Sequence, residues 1–201
     1  MKSYRLLRQR RLLRLRTYDY SAPGAYFITV CVQNRECMFG EIVDGSMNLN
    51  HAGLIVQETW NALPEHYPHA QLDAFIIMPN HLHGIIILNS KDEDSGNVSK
   101  VNFVNNSSAP HFRRGGFQTR PSPDVKPQHG LSEIVRALKT FSSRRINAYR
   151  QSPGARLWQR GYYEHIIRNE TDLIQIRDYI LNNPSRWETD SLFFGQLSRE
   201  I

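Results

Sequence analysis

Met78-Pro79-Asn80-His81-Leu82-His83-Gly84, running directly into Ile85-Ile86-Ile87-Leu88, is the stretch on which the reading of this chain turns. The β-branched apolar run predicts a strand, and Pro79-Asn80 predicts a tight connection leading into it. Side chains alternate along a strand, so His81 and His83 share one face while Leu82 enters the opposite layer. At about 3.3 Å rise per residue their Cβ atoms sit roughly 7 Å apart, near enough for both imidazoles to reach one divalent ion. The same spacing also describes two ordinary, partly exposed strand histidines. The pair therefore defines a metal site only if the rest of the chain supplies the other parts.

Working outward, a strand from about Leu72 to Met78 precedes Pro79, and Ala25 to Val32 reads as the first strand, after the turn signal Pro23-Gly24. Cys37 to Asn50 predicts a hairpin about Asp44-Gly45, a favoured two-residue turn. Asn50 can cap a helix to about Leu63, with Ala52, Ile55, Val56, Trp60 and Leu63 as its apolar stripe and Pro64 and Pro68 ending it. Downstream, Ser132 predicts the cap of a helix whose buried face is Ile134, Val135, Leu138, Phe141 and Ile146. Leu157 to Ile167 reads as a strand with an irregularity at Gly161. Thr171-Asp172 introduces a last helix through Asn183, which Pro184 stops. This order predicts an α+β fold, a mainly antiparallel sheet with helices packed on it.

The chain has 201 residues, 40% of them apolar, which suffices for one core. The expected organisation is a basic arm over 1–19, one domain over 20–190 and a tail over 191–201. Residues 90–129, rich in Ser, Asn, Gly and Pro, form a long excursion within the domain. The aromatic residues Trp187, Phe193 and Phe194 should pack back on the body. No apolar run approaches the ~18 residues of a membrane span, and arginines interrupt Leu6-Leu7 and Leu12-Leu13, so no signal-peptide core is present. Cys31 and Cys37 are too few for a disulfide scaffold and suit a reducing cytoplasm, with nucleoid association when DNA is bound.

The net charge of +6 is unevenly spread. Seven basic residues and no acid occupy 1–16, whereas 17–110 hold three basic against ten acidic residues. Residues 111–168 hold twelve basic against three acidic, and 169–201 three against six. Two basic blocks around an acidic one point to a polyanionic partner, most simply nucleic acid. Arg136, Lys139, Arg144, Arg145 and Arg150 form the cationic face of the 132–150 helix. Arg160 and Arg168 are further candidate phosphate contacts.

A metal-assisted reaction on nucleic acid also needs a nucleophile. Gln175, Tyr179 and Asn183 are spaced by four and share one face of the last helix, beside the apolar stripe of Leu173, Ile176 and Ile180. Tyr162 and Tyr163 are competing tyrosines, and His165 a candidate phosphate or supporting contact. Spacing alone leaves Tyr179 no better than a helix-surface residue.

The combination of MPNHLHGIIIL, WQRGYYEHIIRN and RDYILNNPSRW, in this order over roughly residues 20 to 190, resembles the REP-associated tyrosine transposases. These are IS200-like, single-tyrosine members of the HUH nucleases. The resemblance implies the ferredoxin-like, RRM-like HUH fold, with His81 and His83 as metal ligands, Asn183 as a third ligand and Tyr179 as nucleophile. It further implies Mg²⁺ or Mn²⁺, a 5′-phosphotyrosine intermediate, and single-stranded DNA hairpins as substrate, acted on by a monomer or a homodimer. Two other classes compete: a domesticated DNA-hairpin binder with weak or no cleavage, and a small HxH metal hydrolase using water. A covalent protein–DNA adduct separates the first reading from both.

Overall fold

The computed structural model describes residues 19–90 and 129–193. The basic arm up to residue 18, the excursion over 91–128 and the tail from 194 lie outside the described residues. The histidine stretch forms a hairpin of two long strands, β4 (Ala70–Met78) and β5 (His81–Leu88), joined at Pro79-Asn80. Every residue of β5 is buried, so this strand is covered on both faces. One side is paired with β4 and the other with β1 (Gly24–Cys31), both antiparallel.

Elements β2 (Gly40–Val43) and β3 (Ser46–Leu49) form the separate small hairpin, with Asp44 and Gly45 both at positive φ, as a two-residue turn requires. They lead into α1 (His51–Asn61), where the Asn50 side chain accepts a bond from the Gly53 amide as expected, and into the short α2 (Leu63–His66). After β5 come α3 (Leu131–Tyr149), β6 (Tyr163–Ile167) and α4 (Glu170–Leu181). The sheet order β4-β5-β1-β6 is wholly antiparallel. Setting the small hairpin aside, this is the βαββαβ arrangement of a ferredoxin-like fold, with α4 added.

Strand alternation divides the core in two. Tyr26, Ile28, Val30, Leu82, Ile86 and Leu88 face α1 and α3, packing with Trp60, Ile134 and Leu138. Ala25, Phe27, Ile85 and Ile87 face the other way, against Leu173 and Ile180 of α4. His81 and His83 fall on this second face by the same alternation. Gly84 lies beneath the fully buried Trp60, whose ring a Cβ would meet at 2.4 Å. The missing side chain is what lets the indole approach the strand this closely.

Four expectations change. The 157–167 strand shortens to Tyr163–Ile167, because Lys139 draws the carbonyls of Gln159 (2.6 Å) and Gly161 (3.1 Å) towards α3, leaving only an isolated bridge between Trp158 and Val32. Gly130, not Ser132, caps α3, since the Leu131 amide is taken by the Tyr20 carbonyl. Asn169 caps α4 one residue before Glu170, accepting from the Asp172 amide at 2.8 Å, and the helix ends at Leu181. Phe141 lies at the margin of the buried face of α3 and is exposed against His66; buried Ser142 takes the central position, accepting a bond from Trp158.

Placing a branched side chain at Gly84 tests this packing. Gly84→Val should destabilise the fold by about 1–3 kcal/mol through overpacking against Trp60, read by urea denaturation.

Candidate metal and nucleophile site

The site assembles on the α4 face of the sheet, at the end of β5 next to the β4–β5 turn. His81 and His83 are 0% and 2% exposed, and their Nε2 atoms are 3.0 Å apart. Their tautomers follow from their neighbours. The Asn80 amide nitrogen donates to the carbonyls of Arg35 (3.2 Å) and Leu192 (2.9 Å), so its oxygen is the atom 2.7 Å from His81 Nδ1. An amide oxygen can only accept, which puts the proton of His81 on Nδ1 and leaves Nε2 as a bare lone pair. His83 Nδ1 is 2.8 Å from the Thr29 hydroxyl, which can donate or accept. His83 can therefore share an Nε2 proton with His81, or move that proton to Nδ1 and offer a second lone pair to a cation. Phe27 stacks on the His83 ring, with centroids 5.4 Å apart, and walls the pair from water.

Burial pushes both imidazoles down to about 3, reinforced at His81 by the Arg35 charge and at His83 by repulsion from His81, with Asp190 partly opposing the shift of His83. Both are thus neutral at ordinary pH, the state a metal ligand needs.

Asp190 completes the cluster. One of its carboxylate oxygens and a ring nitrogen from each histidine lie within 4.8 Å of one another. It sits just past a 3-10 turn over Pro184–Thr189 that folds the chain back across the site. Its two oxygens accept from the Leu192 amide (2.6 Å) and the Asn183 side-chain amide (3.1 Å). The Trp187 ring lies 5.9 Å from that of His81. Asn183 is buried, its nitrogen donates to Asp190, and its oxygen has no hydrogen-bond partner among the described residues. Two neutral imidazoles, a carboxylate and an orphaned amide oxygen are a donor set that fits a divalent cation, and the mixture suits Mn²⁺ and similar ions better than an all-oxygen site would.

The Tyr179 hydroxyl is 3.2 Å from His83 Nε2. Desolvation raises its pKa first, the Asp190 charge adds to this, and the nearby Asn183 amide N–H, which favours the phenolate, partly offsets them. Without positive charge beside it the phenol holds its proton.

The structure thus brings together His81, His83, Tyr179 and Asn183, named from the sequence, and adds Asp190, Asn80 and Thr29, which sequence reasoning missed. Asp190 carries only a weak signal, an acid seven residues past Asn183 in a segment with Trp187. Gln175 stays exposed on α4. Of the competing residues, Tyr163 touches Phe27 by a ring edge, Tyr162 lies on the α3 side of the sheet, and His165 pairs with Asp172 at 3.0 Å.

The expected cationic contacts separate. Arg136, Lys139 and Arg160 line a cleft of about 810 Å³ between α3 and residues 155–162, joined by Arg156, which was not foreseen. Among the described residues no acidic side chain lines it. Arg136 is paired with Glu133, Arg145 with Glu58, and Lys139 is occupied by the two backbone carbonyls. Arg144 and Arg168 are exposed elsewhere.

The family profile described as "Transposase IS200 like" matches residues 123–183, which include Tyr179 and Asn183 but not the histidines. A Haemophilus influenzae protein of uncharacterized function is 36% identical over 189 residues, covering 93% of this chain and 94% of that one. A second protein of that organism, provisionally named a REP-associated tyrosine transposase, is 25% identical over 166 residues, covering 83% and 73%. A solved structure described as a REP-associated tyrosine transposase bound to a REP hairpin superposes with a TM-score of 0.52 at 18% identity, covering 86% of this chain and 74% of that one. The last shares the fold. Residues 123–183 thus carry the IS200-like transposase profile, and over most of its length the chain is similar to a REP-associated tyrosine transposase. No helix of the described residues is long and apolar enough to cross a membrane.

The buried histidines set a pH dependence. Unfolded imidazoles bind protons below about 6.5, whereas folded ones do so only near 3, so between these values the unfolded state carries more protons. Stability of the metal-free protein should therefore be level above about pH 6.5 and fall as pH drops towards 3. His81→Gln/His83→Gln should flatten that slope in denaturation curves taken across the range. Asp190→Ala should weaken Mn²⁺ binding, measured calorimetrically, by about tenfold or more.

Proposed function

We propose that this protein is a metal-dependent endonuclease and strand transferase for single-stranded DNA, acting on REP-like hairpins with Tyr179 as nucleophile. The observation that carries the reading is the 3.2 Å approach of the Tyr179 hydroxyl to a nitrogen of the His81, His83 and Asp190 cluster. A phosphate oxygen held at that cluster would place phosphorus beside the phenol.

His81, His83 and Asp190 would hold the cation, and the free oxygen of Asn183 is a further donor. When bound, a divalent ion supplies positive charge that offsets Asp190 and favours both the phenolate and the charge developing on phosphate. The chain's own groups do the rest. Asn80 and Thr29 fix the two imidazoles, and Phe27 and Trp187 keep the pocket apolar. The phenol loses its proton to solvent, and its oxygen bonds to phosphorus. The bond from phosphorus to the 3′ oxygen breaks, and that oxygen takes up a proton. The products are a 5′-phosphotyrosine and a free 3′-hydroxyl, and attack by the 3′-hydroxyl of another end reverses the step and joins strands.

Arg136, Arg156 and Arg160 in the α3 cleft, with Arg144, Arg145 and Arg168, are assigned to the DNA backbone, and Lys139 to shaping the cleft wall. The hairpin in the related solved complex supports this choice of substrate. Cytoplasmic location follows from the substrate.

The test is an SDS-stable adduct between the purified protein and labelled hairpin DNA in Mn²⁺. Tyr179→Phe should abolish the adduct and leave hairpin affinity within about threefold, since a single hydroxyl is removed and the ring stays in place. Cleavage without adduct would instead point to a water nucleophile. Binding without cleavage would point to a domesticated binder.

A further inference from the structure

We propose that the ion pair between Asp73 and Arg177 is a positioning device for the nucleophile helix, which keeps α4 from rolling on the sheet and so holds Tyr179 at His83. The inference rests on the reading of Tyr179 as nucleophile.

A register change creates the pair. In β4, Leu72 lies opposite Ile86 and Phe75 opposite Gly84, so Asp73 and Ala74 together face the single residue Ile85. This is a β-bulge, and it inserts one extra residue into the strand. The insertion resets the alternation: Leu72 and Phe75 pack on the α1/α3 side, whereas Ala74 and Ile76 pack on the α4 side. Asp73 is the inserted residue. The Ala74 amide donates to its Oδ1 at 2.6 Å, and the carboxylate receives both arms of Arg177, Nε to Oδ1 at 2.8 Å and Nη2 to Oδ2 at 2.5 Å. A two-point bond of this kind fixes direction as well as distance.

Helix α4 needs such a constraint. Its apolar support is one narrow ridge, with Leu173 and Ile180 buried and Ile176 partly so. At 3.6 residues per turn, Arg177 lies about 100° to one side of Ile176, and Tyr179 about 100° to the other side of Ile180. The ridge acts as a fulcrum, with the guanidinium on one arm and the phenol on the other. For a helix about 10–12 Å across, a roll of about 10° carries a surface group roughly 1 Å. A displacement of that size costs about 100-fold in a reaction that depends on alignment. Ion pairs of this exposure contribute little to global stability, so orientation rather than stability is the property that distinguishes this one.

The experiment compares Asp73→Asn, Arg177→Gln, the double variant and Arg177→Lys with the parent chain. The readouts are the single-turnover rate of adduct formation at saturating hairpin DNA in Mn²⁺, hairpin Kd, Tm, and the fluorine NMR resonance of 3-fluorotyrosine placed at 179. Each single variant should lower the rate about 10- to 100-fold and shift or broaden the resonance, with Kd within about threefold and little change in Tm. The double variant should be no slower than the worse single one. Arg177→Lys, which keeps the charge but loses the two-point bond, should fall between. An unchanged rate and resonance in the single variants would overturn the proposal, as would a rate loss matched by an equal loss of hairpin affinity or by a large fall in Tm. If the parent chain forms no adduct, the nucleophile reading fails, and the fluorine resonance alone still decides whether the ion pair sets the position of Tyr179.

Discussion

Strand β5 is buried from end to end, and two of its eight residues are histidines. Placing imidazoles in a dry layer takes water away from four ring nitrogens, each of which then needs a partner or a cost of about 1–3 kcal/mol is incurred. Much of the surrounding structure can be understood as the answer to that demand. Asn80, held by two carbonyls, satisfies one nitrogen, and Thr29 on the neighbouring strand satisfies another. The remaining two Nε2 atoms face each other at 3.0 Å, and only a shared proton or a cation makes that separation favourable. The burial that drives the imidazoles neutral thus also makes them ready to bind a metal ion.

Tyr179, the proposed nucleophile, is governed by the same environment with the opposite sign. Burial and Asp190 both disfavour the phenolate of Tyr179, and Asp190 belongs to the cluster that would hold the cation. Charge on the phenol and occupancy of the cluster are therefore coupled through one carboxylate. Such coupling would suit the covalent reaction proposed for Tyr179, since the phenol holds its proton while the cluster carries no positive charge. Asn183 ties the parts together physically, bonding Asp190 while sitting one turn beyond Tyr179.

Local chemistry was the legible part of the sequence. The histidine strand, the Asp44-Gly45 turn, the Asn50 cap and the α1 stripe depend on neighbours within a few residues, and each appears where the pattern placed it. Apart from the local Asn169 cap of α4, the main departures come from long-range partners. Ser132 lost the cap of α3 because Tyr20 reaches the Leu131 amide, and the strand before β6 was cut short by Lys139. Asp190 was nearly hidden for the same reason: its neighbours in sequence barely set it apart from a surface acid, and only the fold-back after Pro184 brings it to the histidines. The bulge at Asp73 was hidden too, because its meaning lies in the pairing with β5 and the contact with α4.

Charge shows most clearly what counting residues leaves out. The sequence presents the 132–150 helix as one cationic face, yet its members have different roles. Arg136 and Arg145 are neutralised in part by Glu133 and Glu58, and Lys139 binds two carbonyls of the segment opposite, with burial lowering its pKa. What remains is concentrated in a cleft whose far wall is residues 155–162, the segment Lys139 holds in place. Arg156 and Arg160 stand on that wall without an ion-pair partner among the described residues. The same wall is bonded to the end of β1 through Gln159, which meets Cys31 and Val32. Cys31 lies opposite His81 across the sheet. The cleft and the histidine site thus occupy opposite faces but the same end of the sheet. A strand leaving one would have only the sheet end to cross to reach the other, so the lysine that costs the helix a free charge also builds the surface on which the remaining charges can act together.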